Sequence, residues 1–309
     1  RTVKINSGED GILHPEALAP HLDEDVAAVM ITNPNTMGLF EKNIRTLAEM
    51  VHGKGRLVFG DGANLNALMG KIKPAGLGID VMQLNLHKSF STPHGGGGPG
   101  AGPVGVVKRL APFLPLPRVR KDEGGSFFLD DKGPQSIGRV RSFYGNFGVM
   151  VRAYAYLLAM GKENIPRVAE MAVLNANYLL SLLGDVLYRP YGGVPMHEFV
   201  VTDKHLKKET TVETTDVAKR LIDMGFHPPT IHFPLVVHGA FMIEPTETET
   251  PEVVEEFAAA LRSIVEEAHR DPEKVKGAPM KTRRRRPNDT LAARKPQLVW
   301  RPEGAGEER

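Results

Sequence analysis

Residues 27–62 read AAVMITNPNTMGLFEKNIRTLAEMVHGKGRLVFGDG, and the texture of this stretch decides the fold class. Ala27–Thr32 is a short, continuously apolar run, the kind produced by a parallel strand buried on both faces. It closes at Asn33-Pro34, a turn signal. Phe40, Ile44, Leu47, Met50 and Val51 then recur at three- and four-residue spacings, which predicts a helix stopped at Gly53. Leu57–Gly60 predicts a second buried strand, and Val81–Leu86 (VMQLNL) a third. Strands separated by helical crossovers imply a mostly parallel α/β sheet. Ligands gather at the carboxyl ends of the strands in such sheets. The polar groups that follow these strands are Asn33, Asp61, and His87 with Lys88.

Further along, the texture changes near Gly145. Phe147–Met160 and Arg167–Leu183 are long helical patterns, the second stopped by Gly184. Short strands and two more helices follow, an α+β arrangement. The last helix is well marked: Thr250 can cap, Pro251 suits the first helical position, and Glu252 favours the positive helix end. It is expected to run to about His269. Two domains follow from this reading: residues 1–145, a portion of a large α/β domain, and residues 146–309, a smaller α+β domain with a basic tail. At the other end, Arg1-Thr2-Val3-Lys4-Ile5 reads as a strand entered in mid-domain, so a missing upstream segment is expected.

The bulk composition narrows the function classes. The 309 residues are 41% hydrophobic and 25% charged, which suits a globular chain rather than a disordered one. A net charge of +2 calls for no acidic partner, and no apolar run approaches the length of a membrane span. With no cysteine in the chain, disulfides and thiolate metal sites are excluded, which fits a cytoplasmic protein.

Two features carry chemistry. Lys88 lies just past a buried strand, in LNLHKSFSTPHGGGGPG (residues 84–100). Desolvation there can free its amine as a nucleophile able to form a Schiff base with an aldehyde cofactor; a solvated loop lysine is the plainer reading. The glycine run Gly95–Gly98 fits either a flexible loop or a close backbone approach. Asp61, in GDGAN (residues 60–64), ends the preceding strand. It can hold a pyridine nitrogen protonated through a charge-assisted hydrogen bond, or it can serve only as a turn residue. The chain between Asp61 and Lys88 suffices for one crossover and return, so both side chains can face one cleft.

GDGAN, LNLHKSFSTPHGGGGPGAGPVGV (residues 84–106) and SIGRVRSFYGNFG (residues 136–148) together closely resemble the glycine dehydrogenase (decarboxylating) family, the P-protein of the glycine cleavage system. The resemblance runs from NSGEDG (residues 6–11) to RKPQLVW (residues 294–300). TNPNTMGLFE (residues 32–41) and RVRSFYGNF resemble the two-subunit form, and within it the cofactor-bearing subunit 2. The resemblance implies a pyridoxal 5'-phosphate (PLP)-dependent transferase of fold type I, aminotransferase-like. Its activity would be an oxidoreductase decarboxylation of glycine, with transfer of the aminomethyl group to the lipoyl group of H-protein. It further implies a heterotetramer with subunit 1, Lys88 as the cofactor-bearing residue, Asp61 at the pyridine nitrogen, Ala63 against the ring and His87 as a neighbour. The family's phosphate-binding loop and ring-stacking residue lie upstream of the region present here, so an isolated chain is expected to bind PLP poorly. The family's less basic TPVRRLDE-like stretch is replaced by Met280-Lys281-Thr282-Arg283-Arg284-Arg285-Arg286-Pro287, which puts that tail's contacts in doubt. PLP chemistry on another amino acid, and an inactive chain with a structural role, are the alternatives.

Other residues have plain readings. Arg139 and Arg141 suit a carboxylate or a partner but also an ordinary surface pair. Met196-His197-Glu198 and His227-Pro228-Pro229 lack the spacing of a metal site, and no metal is expected. Arg283–Arg286, without interleaved aromatics, reads as a solvated tail rather than a nucleic-acid contact.

Overall fold

The computed structural model describes residues 1–97, 100–184, 186–300 and 302. Gly98, the last residue of the glycine run, lies outside them. From the amino end the chain forms α1 (Pro15–Leu18), β1 (Ala28–Thr32), α2 (Ile44–Gly53), β2 (Leu57–Gly62), β3 (Val81–Leu84), α3 (Leu86–Ser89) and β4 (Val104–Val106). These strands make one sheet in the order β1-β2-β3-β4. The first three are parallel and β4 is antiparallel to β3. A hairpin of β5 (Arg118–Lys121) and β6 (Phe127–Asp130) follows, then α4 (Phe147–Leu183). The last part of the chain holds β7 (Phe199–Thr202), α5 (Lys204–Thr210), α6 (Thr214–Asp223), β8 (Thr230–Ile231), β9 (Ala240–Ile243), α7 (Pro251–Arg270), α8 (Pro272–Lys276) and α9 (Asp289–Arg294). Its sheet runs β7-β9-β8, antiparallel throughout.

The helical periodicity of the first half materialises as α2, which buries Ile44, Leu47, Ala48 and Val51 against Leu18, Val58 and Ile79. Phe40 stays outside the helix. The larger core lies in the second half, where α4, α6 and α7 close over β7 and β9. Phe199, Phe241, Leu221 and Leu261 are fully buried there, each contributing about 1.5–3 kcal/mol relative to exposure. Helix α7 starts as expected, with the Thr250 side chain accepting from the Val253 amide and proline in its first turn.

Three expectations need correction. Residues 1–5 form no strand; their side chains are mostly exposed and no strand edge pairs with them. Strand β1 is not buried on both faces: it is the sheet's edge, and Met30 on it is 65% exposed. The third strand ends at Leu84 rather than Leu86. The returning segment takes over there, Ala101 and Pro103 accepting from the Leu86 and Leu84 amides, and the chain turns into α3. The two helical patterns of residues 147–183 form α4, broken by the non-helical Gly161. Pro166 lies in the first turns after that break, close to where an amide hydrogen has no helical partner to lose.

A third cluster places the functional edge. Leu86 and Phe90, buried on either side of Lys88, pack with Met69, Val149, Ala153, Val168 and Ala169. The turn of α3 is thereby pinned on α4 with Lys88 facing outward, exposed. Among the described residues no helix is long and apolar enough to cross a membrane.

Candidate active site

The parallel register aligns the strand ends. Thr32 lies beside Asp61 and Asp61 beside Gln83, so the residues singled out after β1, β2 and β3 arrive at one edge. Gly62 permits this closeness, since a Cβ there would lie 2.0 Å from the Gln83 carbonyl oxygen.

Asp61 is held by two donors on the same atom. Its Oδ1 accepts from the Ala63 amide at 2.9 Å and from Gln83 Nε2. Oδ2 takes no recorded hydrogen bond among the described residues, so one oxygen is fixed and the other is free for a ligand. Around Lys88 the pattern is of polar atoms without partners. Gln83 Oε1, His87 Nδ1, Ser89 Oγ and Thr92 Oγ1 are buried and make no hydrogen bond among the described residues. Buried polar atoms ordinarily are paired, and each orphan costs about 1–3 kcal/mol. One lies near the end of β3 and three in the ten residues that follow it, a run of missing partners that a polar ligand can supply. The structural hydrogen-bonding role considered for His87 is not met at Nδ1. Its ring instead meets His94 edge-on at 4.8 Å between centroids, and burial, then the charges of His94 and Lys88, hold its pKa below the usual value.

A second wall faces this edge. His197 and Glu198, dismissed on spacing, are 2% exposed each. Glu198 precedes β7 and Glu244 follows β9; continuing the register of Phe199 with Ile243 sets the two carboxylates opposite each other. His197 Nε2 lies 4.0 Å from Glu198 Oε2 and 3.8 Å from Glu244 Oε1. Burial, reinforced by the charge of Glu244 and opposed by Lys88, pushes the Glu198 carboxyl up to about 8. Burial, then the Lys88 charge, pushes the His197 imidazole down to about 4. Glu244, whose side chain is still 40% exposed, is also raised, by partial loss of hydration with Lys88 opposing and Glu247 adding. The Lys88 charge thus acts on all three groups from across the cleft.

Asn64 ties the two walls. Its Nδ2 donates to the Pro34 carbonyl at 2.8 Å and to Glu198 Oε1 at 3.2 Å. Nearby, Gly38 adopts φ +80°, and any Cβ on it would collide with the Glu198 carbonyl oxygen. Sequence reading missed this second wall because Glu244 joins it only through the β7–β9 pairing. Of the arginines weighed earlier, Arg139 pairs with Asp131 at 2.6 Å, and Arg286 bonds Asp216 and the Ala278 carbonyl. Both are structural contacts.

A family profile described as glycine dehydrogenase, C-terminal domain, matches residues 168–282. Proteins named probable glycine dehydrogenase (decarboxylating) subunit 2 are similar along almost all of this chain. Those of Fervidobacterium nodosum and Thermotoga maritima are each 54% identical over 97% of it. The chain spans 62% of the length of either relative. Among solved structures, glycine decarboxylase (P-protein) of the glycine cleavage system, in inhibitor-bound form, superposes with a TM-score of 0.64 at 24% identity, over 78% of this chain and 55% of that one. Apo cysteine desulfurase from Thermococcus onnurineus NA1 gives 0.64 at 16% identity, over 85% and 65% respectively. A mutant titled C-DES, with glycine covalently linked to its PLP cofactor, gives 0.60 at 13%, over 80% and 63%. At these identities the superpositions speak for architecture alone: the fold is the aminotransferase-like fold type I, as the resemblance implied.

Proposed function

We propose, from 54% identity along 97% of the chain to proteins named probable glycine dehydrogenase (decarboxylating) subunit 2, that this chain carries the PLP-dependent half of glycine decarboxylation. The substrate is glycine, and the aminomethyl group left after loss of carbon dioxide passes to the lipoyl group of H-protein. The chain works beside a partner subunit 1 in a heterotetramer, and the division of its two domains at residue 145 belongs to the same proposal. The observation that supports the reading is the polar strand edge: a singly occupied Asp61 carboxylate and four orphaned polar atoms around an outward-facing Lys88.

These residues fit the cofactor. Lys88 would hold it covalently through Nζ, Asp61 Oδ2 would accept from its pyridine nitrogen, Ala63 would flank the ring, and His87 would stand beside it. When bound, PLP supplies an electron sink for the pair left behind by departing carbon dioxide. The protein's own part is orientation and proton control. The Ala63 amide and Gln83 Nε2 fix the Asp61 carboxylate through Oδ1, so its charge stays aimed without reorganisation. Lys88 Nζ would also be the group suited to carry a proton to and from the substrate beside the cofactor. The buried His197 and Glu198 of the second wall would limit water on that side.

The test uses the complete subunit with its partner. Borohydride reduction of the PLP-loaded protein is expected to tag the peptide containing Lys88, and labelled carbon dioxide is expected to exchange into glycine but not into larger amino acids. A tag on another lysine, or exchange with a larger amino acid in preference to glycine, overturns the assignment.

A further inference from the structure

The second wall has a chemistry of its own. Two carboxylates set opposite each other across an antiparallel pair repel, and such like-charge pairs are destabilising. Here a neutral imidazole edge joins them. His197 is 2% exposed, makes no hydrogen bond among the described residues, and turns Nε2 toward both acids at 3.8 and 4.0 Å. These separations are too long for hydrogen bonds, so the three groups do not satisfy one another. With its proton on Nδ1, the imidazole offers Nε2 as an acceptor. At neutral pH the Glu198 carboxyl still carries a proton; an arriving cation displaces it to solvent, and the site then shows three acceptors, all within 4.8 Å of one another.

Spacing decides what belongs between them. A zinc ion bonded at ~2.1 Å would draw its ligand atoms to separations of about 3.0–3.4 Å. A primary ammonium, with three N–H donors and contacts of ~2.8 Å, sets its acceptors about 4.0–4.6 Å apart. The separations of 3.8 and 4.0 Å lie beyond the zinc range and at the lower edge of the ammonium range. A primary ammonium also already acts on this wall, since the Lys88 charge shifts all three groups while Lys88 stands outside ion-pair distance of them. We propose that His197, Glu198 and Glu244 form an acceptor site for a primary ammonium group, filled by the side chain of Lys88 or by the amine of a small ligand. The three are positioning residues: they hold the amine where Asn64 joins Glu198 to the Pro34 carbonyl. This inference rests on the geometry of the cleft and not on the reaction proposed above.

The experiment needs no cofactor and reads no activity. The chain is labelled with isotopic histidine, and the His197 imidazole signals are followed by NMR while methylammonium chloride is added, with tetramethylammonium as the control lacking N–H donors. In Lys88→Ala, methylammonium is expected to shift His197 saturably, Glu244→Gln in that background to weaken the effect at least tenfold, and tetramethylammonium to do nothing. A wild-type protein blind to methylammonium, with His197 signals moved by Lys88→Ala alone, identifies Lys88 as the occupant. Saturable binding to wild type as well identifies a ligand amine. No saturable response in either protein, an equal response to tetramethylammonium, or stoichiometric zinc binding in place of methylammonium overturns the proposal. Lys88→Met, which keeps the apolar stem, repeats the test should the alanine variant fail to fold.

Discussion

The two walls of the cleft are built on opposite principles. The strand-end wall of Asp61, Gln83 and Lys88 is half open, and its groups arrive there because three consecutive parallel strands end together. The wall of His197, Glu198 and Glu244 is mostly buried and exists only because β7 and β9 pair. The first leaves four buried polar atoms without partners beside an exposed Lys88, each at a cost of about 1–3 kcal/mol to the fold. The second holds ionisable groups where hydration is lost, and their proton affinities move far from the ordinary values. A reactive amine can thus stand exposed at a strand-end edge, while the groups that set its electrostatic surroundings come from a core that resists change.

Substitutions separate the walls. The largest effect is expected from Lys88→Ala: glycine–carbon dioxide exchange by the complete subunit should fall at least about 1,000-fold, roughly 4 kcal/mol of barrier, while the denaturant midpoint stays nearly unchanged. A large loss of stability would mean that the strand-end wall is structural as well. On the buried wall the effect reverses, into stability. The Glu198 carboxyl is raised in the folded state, so its contribution is present below the ordinary carboxylate value and is lost as pH rises toward about 8, on the order of 3 kcal/mol. His197 is lowered, so its contribution is present above the ordinary histidine value and is lost as pH falls toward about 4. Denaturation midpoints across pH 5–8.5 should show the alkaline loss in the wild type and a flattened profile in Glu198→Gln; identical profiles would remove the contrast.

Asp61→Asn keeps the shape of the strand edge and removes its charge. Exchange activity should drop about 100-fold, near 2.7 kcal/mol, with melting unaffected. Asn64→Ala, which cuts the tie between the walls, should cost about 1–2 kcal/mol in urea unfolding, with a smaller loss of activity. If it proves neutral in both measurements, the walls are independent.

Much of this molecule can be read locally. Alternating apolar runs and helical spacings foretell β2, α2 and α7, and the turn residues after each strand mark the polar edge, because propensity, capping and periodicity act over a few residues. Where local reading failed, the environment was decisive. Among the described residues the apolar run of β1 stands at the edge of the sheet, since apolarity alone does not give strand order. A predicted strand formed but ended two residues early, at Leu84, where the chain turns into α3 beside the returning Ala101–Pro103 segment. His197 and Glu198 were dismissed because metal and acid clusters are recognised by spacing.

The sequence by itself determined the α/β order of elements, the caps and breaks of the long helices, and a lysine and an aspartate at successive strand ends. Only the tertiary structure decided that Asn64 reaches Glu198 across 134 residues, that Glu244 stands opposite Glu198, and that all of them lie within the field of Lys88. The reason is physical: hydrogen-bond register and burial are properties of surfaces brought together, and neither is encoded in the few residues around any one of them.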